Sequence, residues 1–241
     1  MSVRLLLGSG GFRTPGRVAL LAGQMHAFFG DVRRLLFVPY ALADHDGYAQ
    51  MVVEKGWSAG YAIDPVHRHA DPVAAVRDAE GILVGGGNTF RLLHALYELG
   101  LLEAIRDQVT GRGLPYMGVS AGTNVACPTI KTTNDMPIVQ PPSLAALNLV
   151  PFQVNPHYYH GATFLKEGDG FVEHFGETRD ERIREFHEMN DAPVVGLWEG
   201  GLLRVEAGGV TLIGAAARVF RKGREPVDVG PGARLDEMVS V

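Results

Sequence analysis

Tyr116-Met117-Gly118-Val119-Ser120-Ala121-Gly122-Thr123-Asn124 is the stretch on which the reading of this chain turns. The apolar run from Tyr116 to Val119 leads into Gly118-x-Ser120-x-Gly122, and small or apolar residues through Cys127 lead out of it. A chain uses this pattern to turn sharply from a strand into a helix with one serine at the apex. The apex residue sits in a strained conformation, so its neighbours must lack side chains that would collide. Such a turn exposes the Ser120 hydroxyl. It also aims the Ala121 amide, at the head of the helix, where an oxyanion would form. A plain Gly-Ser-Gly turn has the same letters, so the rest of the chain must supply a base, an acid and a second oxyanion donor.

Upstream, Gly81 to Val84 has the look of a buried strand running into Gly85-Gly86-Gly87-Asn88-Thr89-Phe90 and then a helix through Leu99. Three glycines at a strand end let backbone amides approach a ligand closely, so Gly86 and Gly87 are the expected second donors, and Asn88 beside them is a candidate substrate contact. Leu101 to Thr110 is amphipathic at helical spacing. Nearer the N-terminus, Val3 to Leu7 reads as a buried strand that ends at Gly8-Ser9-Gly10-Gly11. That glycine cluster invites a nucleotide-binding reading. It fails twice: Arg13 stands where a dinucleotide fingerprint needs its third glycine, and Arg17-Val18 follows the Walker spacing in place of Lys-Ser or Lys-Thr. Val18 to Phe29 and Tyr48 to Lys55 are expected helices, and Leu35 to Pro39 and Gly60 to Ile63 strands. Asp71-Pro72 is a cap and first turn for a helix to Asp78. His67-x-His69 has no third ligand at a recognisable spacing and is expected to be a solvent-facing loop pair rather than a metal site.

Downstream, Lys131 to Gln140 is a polar stretch containing Thr132-Thr133-Asn134-Asp135. Phe152 to Asn155 reads as a strand ending at Pro156-His157, and Val194 to Leu197 as one ending at Trp198-Glu199. Lys166 to Gly176 reads as a loop. Thr178 to Met189 reads as a charged helix with Thr178 and Glu181 spaced as a capping box. Leu202 to Glu206, Val210 to Ile213 and Arg218 to Phe220 read as closing β-structure. Alternating strands and helices with short connections predict one α/β domain over residues 1–241, three-layered, with a largely parallel sheet and helices on both faces. Ser120, His157 and Glu199 each follow an apolar strand, which is expected to put them on one sheet edge, where ligands gather.

The 241 residues, 46% of them hydrophobic, suffice for one sizeable core. A net charge of −5 without a basic stripe argues against nucleic acid as a partner. The single cysteine, Cys127, rules out an intrachain disulfide and is expected to be a buried helix residue. No apolar run approaches the roughly 20 residues of a membrane span, and the N-terminal run shows no cleavage-like signal, so a soluble cytoplasmic protein is expected.

Gly118-Val119-Ser120-Ala121-Gly122-Thr123-Asn124, Thr132-Thr133-Asn134-Asp135-Met136-Pro137-Ile138-Val139, Asn155-Pro156-His157 and Gly176-Glu177-Thr178-Arg179 together resemble peptidase E, the α-aspartyl dipeptidase family. Val84 to Phe90 fits as well, and the blocks fall in the same order along nearly the whole chain. The resemblance implies a fold like the class I glutamine amidotransferases, kinship with cyanophycinases, hydrolysis of dipeptides with an N-terminal aspartate, no metal or other cofactor, and a cytoplasmic homodimer. It implies Ser120 as nucleophile and His157 as base, with Glu199 or Asp135 as the acid. Two departures stand out. The stretch Phe171 to Phe175 is longer than the family pattern expects, and Trp198 replaces the proline expected before Glu199.

Between the two carboxylates, Glu199 is preferred, because it ends its own strand while Asp135 lies in a polar segment suited to shaping a pocket. Arg179 is the candidate partner for the substrate's aspartate, since a carboxylate in a partly closed site needs a fixed cation and arginine's planar fork suits it. Arg182 is the fallback. His160 and His174 are expected at the surface. A general esterase or other acyl hydrolase, and a non-catalytic small-molecule binding protein on the same fold, are the alternative functions.

Overall fold

The computed structural model describes residues 3–240; Met1, Ser2 and Val241, the ends of the expected 1–241 domain, lie outside the described residues. The elements of its first half are β1 (Leu5–Gly8), α1 (Pro15–Phe29), β2 (Arg34–Val38), α2 (His45–Glu54), β3 (Ala62–Pro65), α3 (Pro72–Asp78), β4 (Ile82–Val84), α4 (Thr89–Glu98), α5 (Leu101–Arg112), β5 (Tyr116–Val119) and α6 (Ala121–Ala126). The second half contains β6 (Gln153–Tyr158), β7 (Thr163–Glu167), β8 (Gly170–His174), α7 (Arg179–Met189), β9 (Val194–Trp198), β10 (Leu202–Glu206), β11 (Gly209–Ile213), β12 (Ala217–Phe220), β13 (Val227–Val229) and α8 (Asp236–Val239).

Seven strands form the central sheet in the order β11-β10-β1-β5-β4-β2-β3. From β1 to β3 every neighbour is parallel, and β10 and β11 are added antiparallel at the β1 side. The central strands are apolar on both faces because both faces are covered. Leu6, Leu35, Phe37, Leu83 and Met117 pack with Leu21, Met25 and Phe28 of α1 and Tyr48 and Val52 of α2. Their alternate neighbours Leu5, Leu7, Leu36, Val38, Ile82, Val84 and Tyr116 face the other way, onto α3 to α6. The result is the largely parallel α/β architecture expected from the sequence. Among the described residues, no helix is long and apolar enough to cross a membrane.

Two expectations about architecture are corrected. First, the three chemistry-bearing strand ends do not share one sheet. β6 and β9 belong to a second, four-stranded sheet, ordered β13-β12-β9-β6, in which only β6 and β9 are parallel. Val154, Val195 and Leu197 of that sheet join the same core as the α3–α6 face of the central one, which brings the two sheets' carboxyl ends together. Second, Lys166 to Gly176 is not a loop. It holds β8 and the end of β7, an antiparallel hairpin whose turn is Gly168 in the left-handed region. Its charged and glycine-rich letters hide the alternation, because Phe164, Leu165, Phe171 and Val172 are all exposed and no buried face imposes a pattern.

Local chemistry sets the helix starts as read. Asp71 caps α3 by accepting the Ala74 amide, and Thr178 and Glu181 form the reciprocal capping box of α7. Asp180, in the first turn of α7, accepts from the Tyr158 hydroxyl and from the Arg218 guanidinium 3.0 Å away, which pins α7 to the second sheet.

Candidate active site

Ser120 sits between β5 and α6 with φ 55° and ψ −107°, a conformation that a serine adopts only when its surroundings enforce it. The surroundings are the two glycines. A Cβ on Gly118 would collide with the Gly122 carbonyl, and one on Gly122 with the Val84 carbonyl. The Ser120 amide and the Thr123 hydroxyl both donate to the Gly8 carbonyl, at 2.9 and 2.7 Å, so the turn is tied to the end of β1. Gly86 lies directly behind the serine, where a Cβ would stand 3.1 Å from Ser120 Cβ. Gly87, with φ 136°, turns the chain so that any Cβ would strike the Ala41 carbonyl instead.

His157 lies inside β6 at φ 54°, at a register shift between Pro156 and Tyr158 opposite β9. That irregularity turns the ring out of the sheet. His157 Nε2 is 2.8 Å from Ser120 Oγ, and His157 Nδ1 is 3.2 Å from Glu199 Oε1. The other carboxylate oxygen of Glu199 lies 3.7 Å from Arg17 Nη1, and the same nitrogen donates to the Gly11 carbonyl at 3.1 Å. Glu199 is half in water, with 52% of its side chain exposed, so its pull on the imidazole is weaker than that of a buried acid.

The glycine cluster after β1, weighed in the sequence as a phosphate loop, is the seam between the two sheets. Ser9 is fully buried; its hydroxyl accepts the His157 amide at 2.8 Å and donates to the Leu197 carbonyl at 2.8 Å. The Gly200 amide donates to the Gly10 carbonyl at 2.7 Å. Gly10 and Gly11 both have positive φ, and Cβ atoms there would press on the His157 ring and on the Glu199 side chain. Ser9, Gly10, Gly11 and Arg17 were not foreseen as site residues. The signal lay in the failed fingerprint itself: a glycine run after a central strand, without a phosphate motif, still marks a close approach.

The polar stretch 131–140 latches the same region from outside. Asn134 Nδ2 donates to the Pro156 carbonyl, and Asn155 Nδ2 donates to Asn134 Oδ1 at 2.9 Å and to the Thr132 carbonyl at 2.8 Å. Asp135 is not at the imidazole. Its carboxylate accepts from the Thr89 amide at 2.8 Å and from the hydroxyls of Thr89 and Thr133, at the N-terminal end of α4, where a negative charge meets the positive end of the helix dipole. Asn88 is likewise engaged, capping α4 through the Arg91 amide and donating to the Met136 carbonyl. Both fix the start of α4, the helix that follows the Gly85–Gly87 loop.

Arg179 is placed over the Tyr159 ring, 5.6 Å from its centroid, two residues along from His157. Its Nε is buried and has no hydrogen-bond partner among the described residues. Arg182 is taken by Glu177. His160 is paired with Arg218, and His67 and His69 with Asp46 and Asp64, while His174 is exposed. Trp198 packs edge-on against Tyr158, so the departure from proline adds an aromatic contact beneath Glu199. Cys127 is buried at the end of α6, and burial pushes its thiol up to about 12.

Chemically, a serine hydroxyl donating to an imidazole that in turn donates to a carboxylate is an arrangement for activating an oxygen nucleophile. The comparisons agree with that chemistry. The model of the family described as Peptidase family S51 matches residues 4–213. Peptidase E of Streptomyces coelicolor is 53% identical over 209 residues, 86% of this chain and 83% of the relative. A probable alpha-aspartyl dipeptidase of Drosophila melanogaster is 44% identical over 234 residues, 96% of this chain and 95% of that one. The crystal structure of a peptidase from an acI-B1 Actinobacterium superposes with a TM-score of 0.67 over 97% of this chain and 96% of its own, at 17% identity, a likeness of fold.

Proposed function

The chain belongs to peptidase family S51, and from that premise we propose that it hydrolyses dipeptides with an N-terminal aspartate, with Ser120 as nucleophile, His157 as general base and acid, and Glu199 as the orienting acid. The observation that carries this reading is the hydrogen-bonded line from Ser120 Oγ through both nitrogens of His157 to Glu199, at 2.8 and 3.2 Å.

Ser120 Oγ attacks the carbonyl carbon of the Asp-X bond while its proton passes to His157 Nε2. Glu199 holds Nδ1–H and stabilises the imidazolium. The amide of Ala121 and those of Gly86 or Gly87 receive the negative oxygen. His157 then returns the proton to the nitrogen of the leaving residue X, and the amine departs. Aspartyl ester remains on Ser120. Water attacks it with His157 again as base, releasing aspartate. Asp135 and Asn88 act by fixing the start of α4, which follows the glycine loop.

The aspartate side chain requires a cation, because an unpaired carboxylate out of water is costly. Arg179 fills that part in our reading, supported by its unpartnered, buried Nε and its seat on Tyr159. The family resemblance further supports a cytoplasmic homodimer; light scattering on the purified protein tests the dimer, and cell fractionation the location. The function itself is tested with dipeptides carrying Asp, Glu, Asn or Ala first. Hydrolysis confined to Asp-X, and absent in Ser120→Ala, is the expected result; equal hydrolysis of Ala-X would remove the aspartate from the proposal.

A further inference from the structure

A cavity of about 300 Å³ opens beside Ser120 and His157 and runs beneath the Gly85–Gly87 loop toward the α1–α2 face of the central sheet. It is at the small end of the roughly 300–1,000 Å³ typical of ligand sites. Its walls include Phe12, Phe37, Met51, Trp57, Leu83 and Met117. Tyr48 also lines it, close to Gly85, and burial pushes that hydroxyl up to about 12, so it stays uncharged at neutral pH. The wall is braced: Trp57 Nε1 donates to the Phe12 carbonyl at 2.7 Å, clamping the loop after β1 to the end of α2. Arg13, exposed, is the cation that lines it, at the rim, and it forms no ion pair among the described residues.

A dipeptide straddling Ser120 has two ends to place. The aspartate side chain does not suit this cavity, since its carboxylate would meet Phe, Met, Leu and Trp side chains and lose its hydration without recompense. The leaving residue suits it, with its side chain in the apolar cleft and its free carboxylate at the rim. We propose that this cavity is the subsite for an apolar leaving residue, and that Arg13 pairs with that residue's terminal carboxylate. The inference rests on the Asp-X reading of the site and deepens it. It assigns two arginines to the two carboxylates of the substrate, Arg179 to the side chain and Arg13 to the C-terminus. A longer peptide, lacking a carboxylate at that point, loses the second pair.

The test is steady-state hydrolysis of Asp-Leu, Asp-Phe, Asp-Gly, Asp-Lys and Asp-leucinamide by the full chain, beside calorimetric binding of Asp-Leu and Asp-Gly to Ser120→Ala. Burying a leucine or phenylalanine side chain predicts that Asp-Leu exceeds Asp-Gly roughly 10- to 150-fold in kcat/KM. Asp-Lys falls near or below Asp-Gly. Arg13→Gln lowers the ratio of Asp-Leu to Asp-leucinamide about 5-fold. Met51→Trp, which fills the cavity, lowers the ratio of Asp-Leu to Asp-Gly, and an unaltered rate of Ser120 labelling by a small fluorophosphonate shows that this variant keeps its site. Equal rates for Asp-Leu, Asp-Gly and Asp-Lys in the native protein would overturn the subsite while leaving the Asp-X reading intact. Preference for Leu-X over Asp-X would seat the first residue in the cavity and overturn both. Should no Asp-X be cleaved, the dipeptidase reading fails, and the binding comparison alone decides the subsite: tighter Asp-Leu than Asp-Gly upholds it, equal affinities end it.

Discussion

The two sheets contribute to the site in different ways. The central sheet holds Ser120 from its own strands: a strained apex, two flanking glycines that admit no side chain, and the Gly8 carbonyl at the end of the neighbouring β1. The second sheet holds His157 and Glu199 by borrowed means. Their positions depend on Ser9, Gly10, Gly11 and Arg17, all from the segment that follows the central strand β1. His157 and Glu199 are also the wetter partners, with 40% and 52% of their side chains exposed. The proposed nucleophile therefore rests on residues of its own sheet, its turn and the Gly8, Val84 and Gly86 backbone around it, whereas the proposed base and acid, assembled across a seam, are sensitive to residues that never touch substrate. Substitutions on the two sides of the seam put this contrast to the test.

The largest loss is expected for Ser120→Ala and His157→Ala, on the order of 10⁶-fold in kcat, with the melting temperature retained. Residual turnover well above that level in either variant would mean that another group attacks. Glu199→Gln comes next, below the roughly 10⁴-fold known for a fully buried acid, because Glu199 stands half in water. Asp135→Asn serves as its control: it should cost stability, about 1 kcal/mol as for a lost helix cap, before it costs catalysis. A larger kinetic loss for Asp135→Asn than for Glu199→Gln would transfer the orienting role. Gly11→Ala tests the seam itself. An alanine there must displace Glu199 and adopt a positive φ, and a misplacement of about 1 Å costs on the order of 10²-fold; a Gly16→Ala change on the same segment, where a Cβ meets nothing within 4 Å, should be neutral. The smallest effect belongs to Arg17→Met. Arg17 positions the second oxygen of Glu199 through an exposed pair worth about 1 kcal/mol or less. The kcat should fall a few-fold with KM steady, and Arg17→Lys should rescue part of the loss. An unchanged kcat, or a loss that Arg17→Lys does not rescue, would reduce Arg17 to a structural contact.

Much of this was legible in the chain. Gly118 to Gly122 announces its turn because the conformation demands those glycines locally, and the capping residues Asp71 and Thr178 announce their helices for the same reason. Glu199 was preferred to Asp135 because it ends an apolar strand, and that strand end is what brings its carboxylate to His157 Nδ1; whether it orients the ring is the proposal that Glu199→Gln tests. What stayed hidden depends on partners distant in sequence. The sheet to which β6 and β9 belong is set by packing of Val154 and Leu197 on the central core, which no local pattern records. The role of Gly10 and Gly11 appears only when His157 and Glu199, nearly 150 and 190 residues on, arrive beside them. The β7–β8 hairpin escaped because it buries neither face. Asn88 carries letters suited to substrate, yet the start of α4 takes its amide oxygen and the Met136 carbonyl its amide nitrogen.

Cys127 offers a practical opening. It is the only cysteine of the chain, and its thiol is both buried and pushed up to about 12. Burial both shields the sulfur and disfavours the thiolate on which alkylating reagents depend. The native protein is therefore a silent background for thiol chemistry. A cysteine introduced at Phe171, 71% exposed on the hairpin, would accept a maleimide dye alone, and its emission would follow that hairpin while substrate enters and leaves.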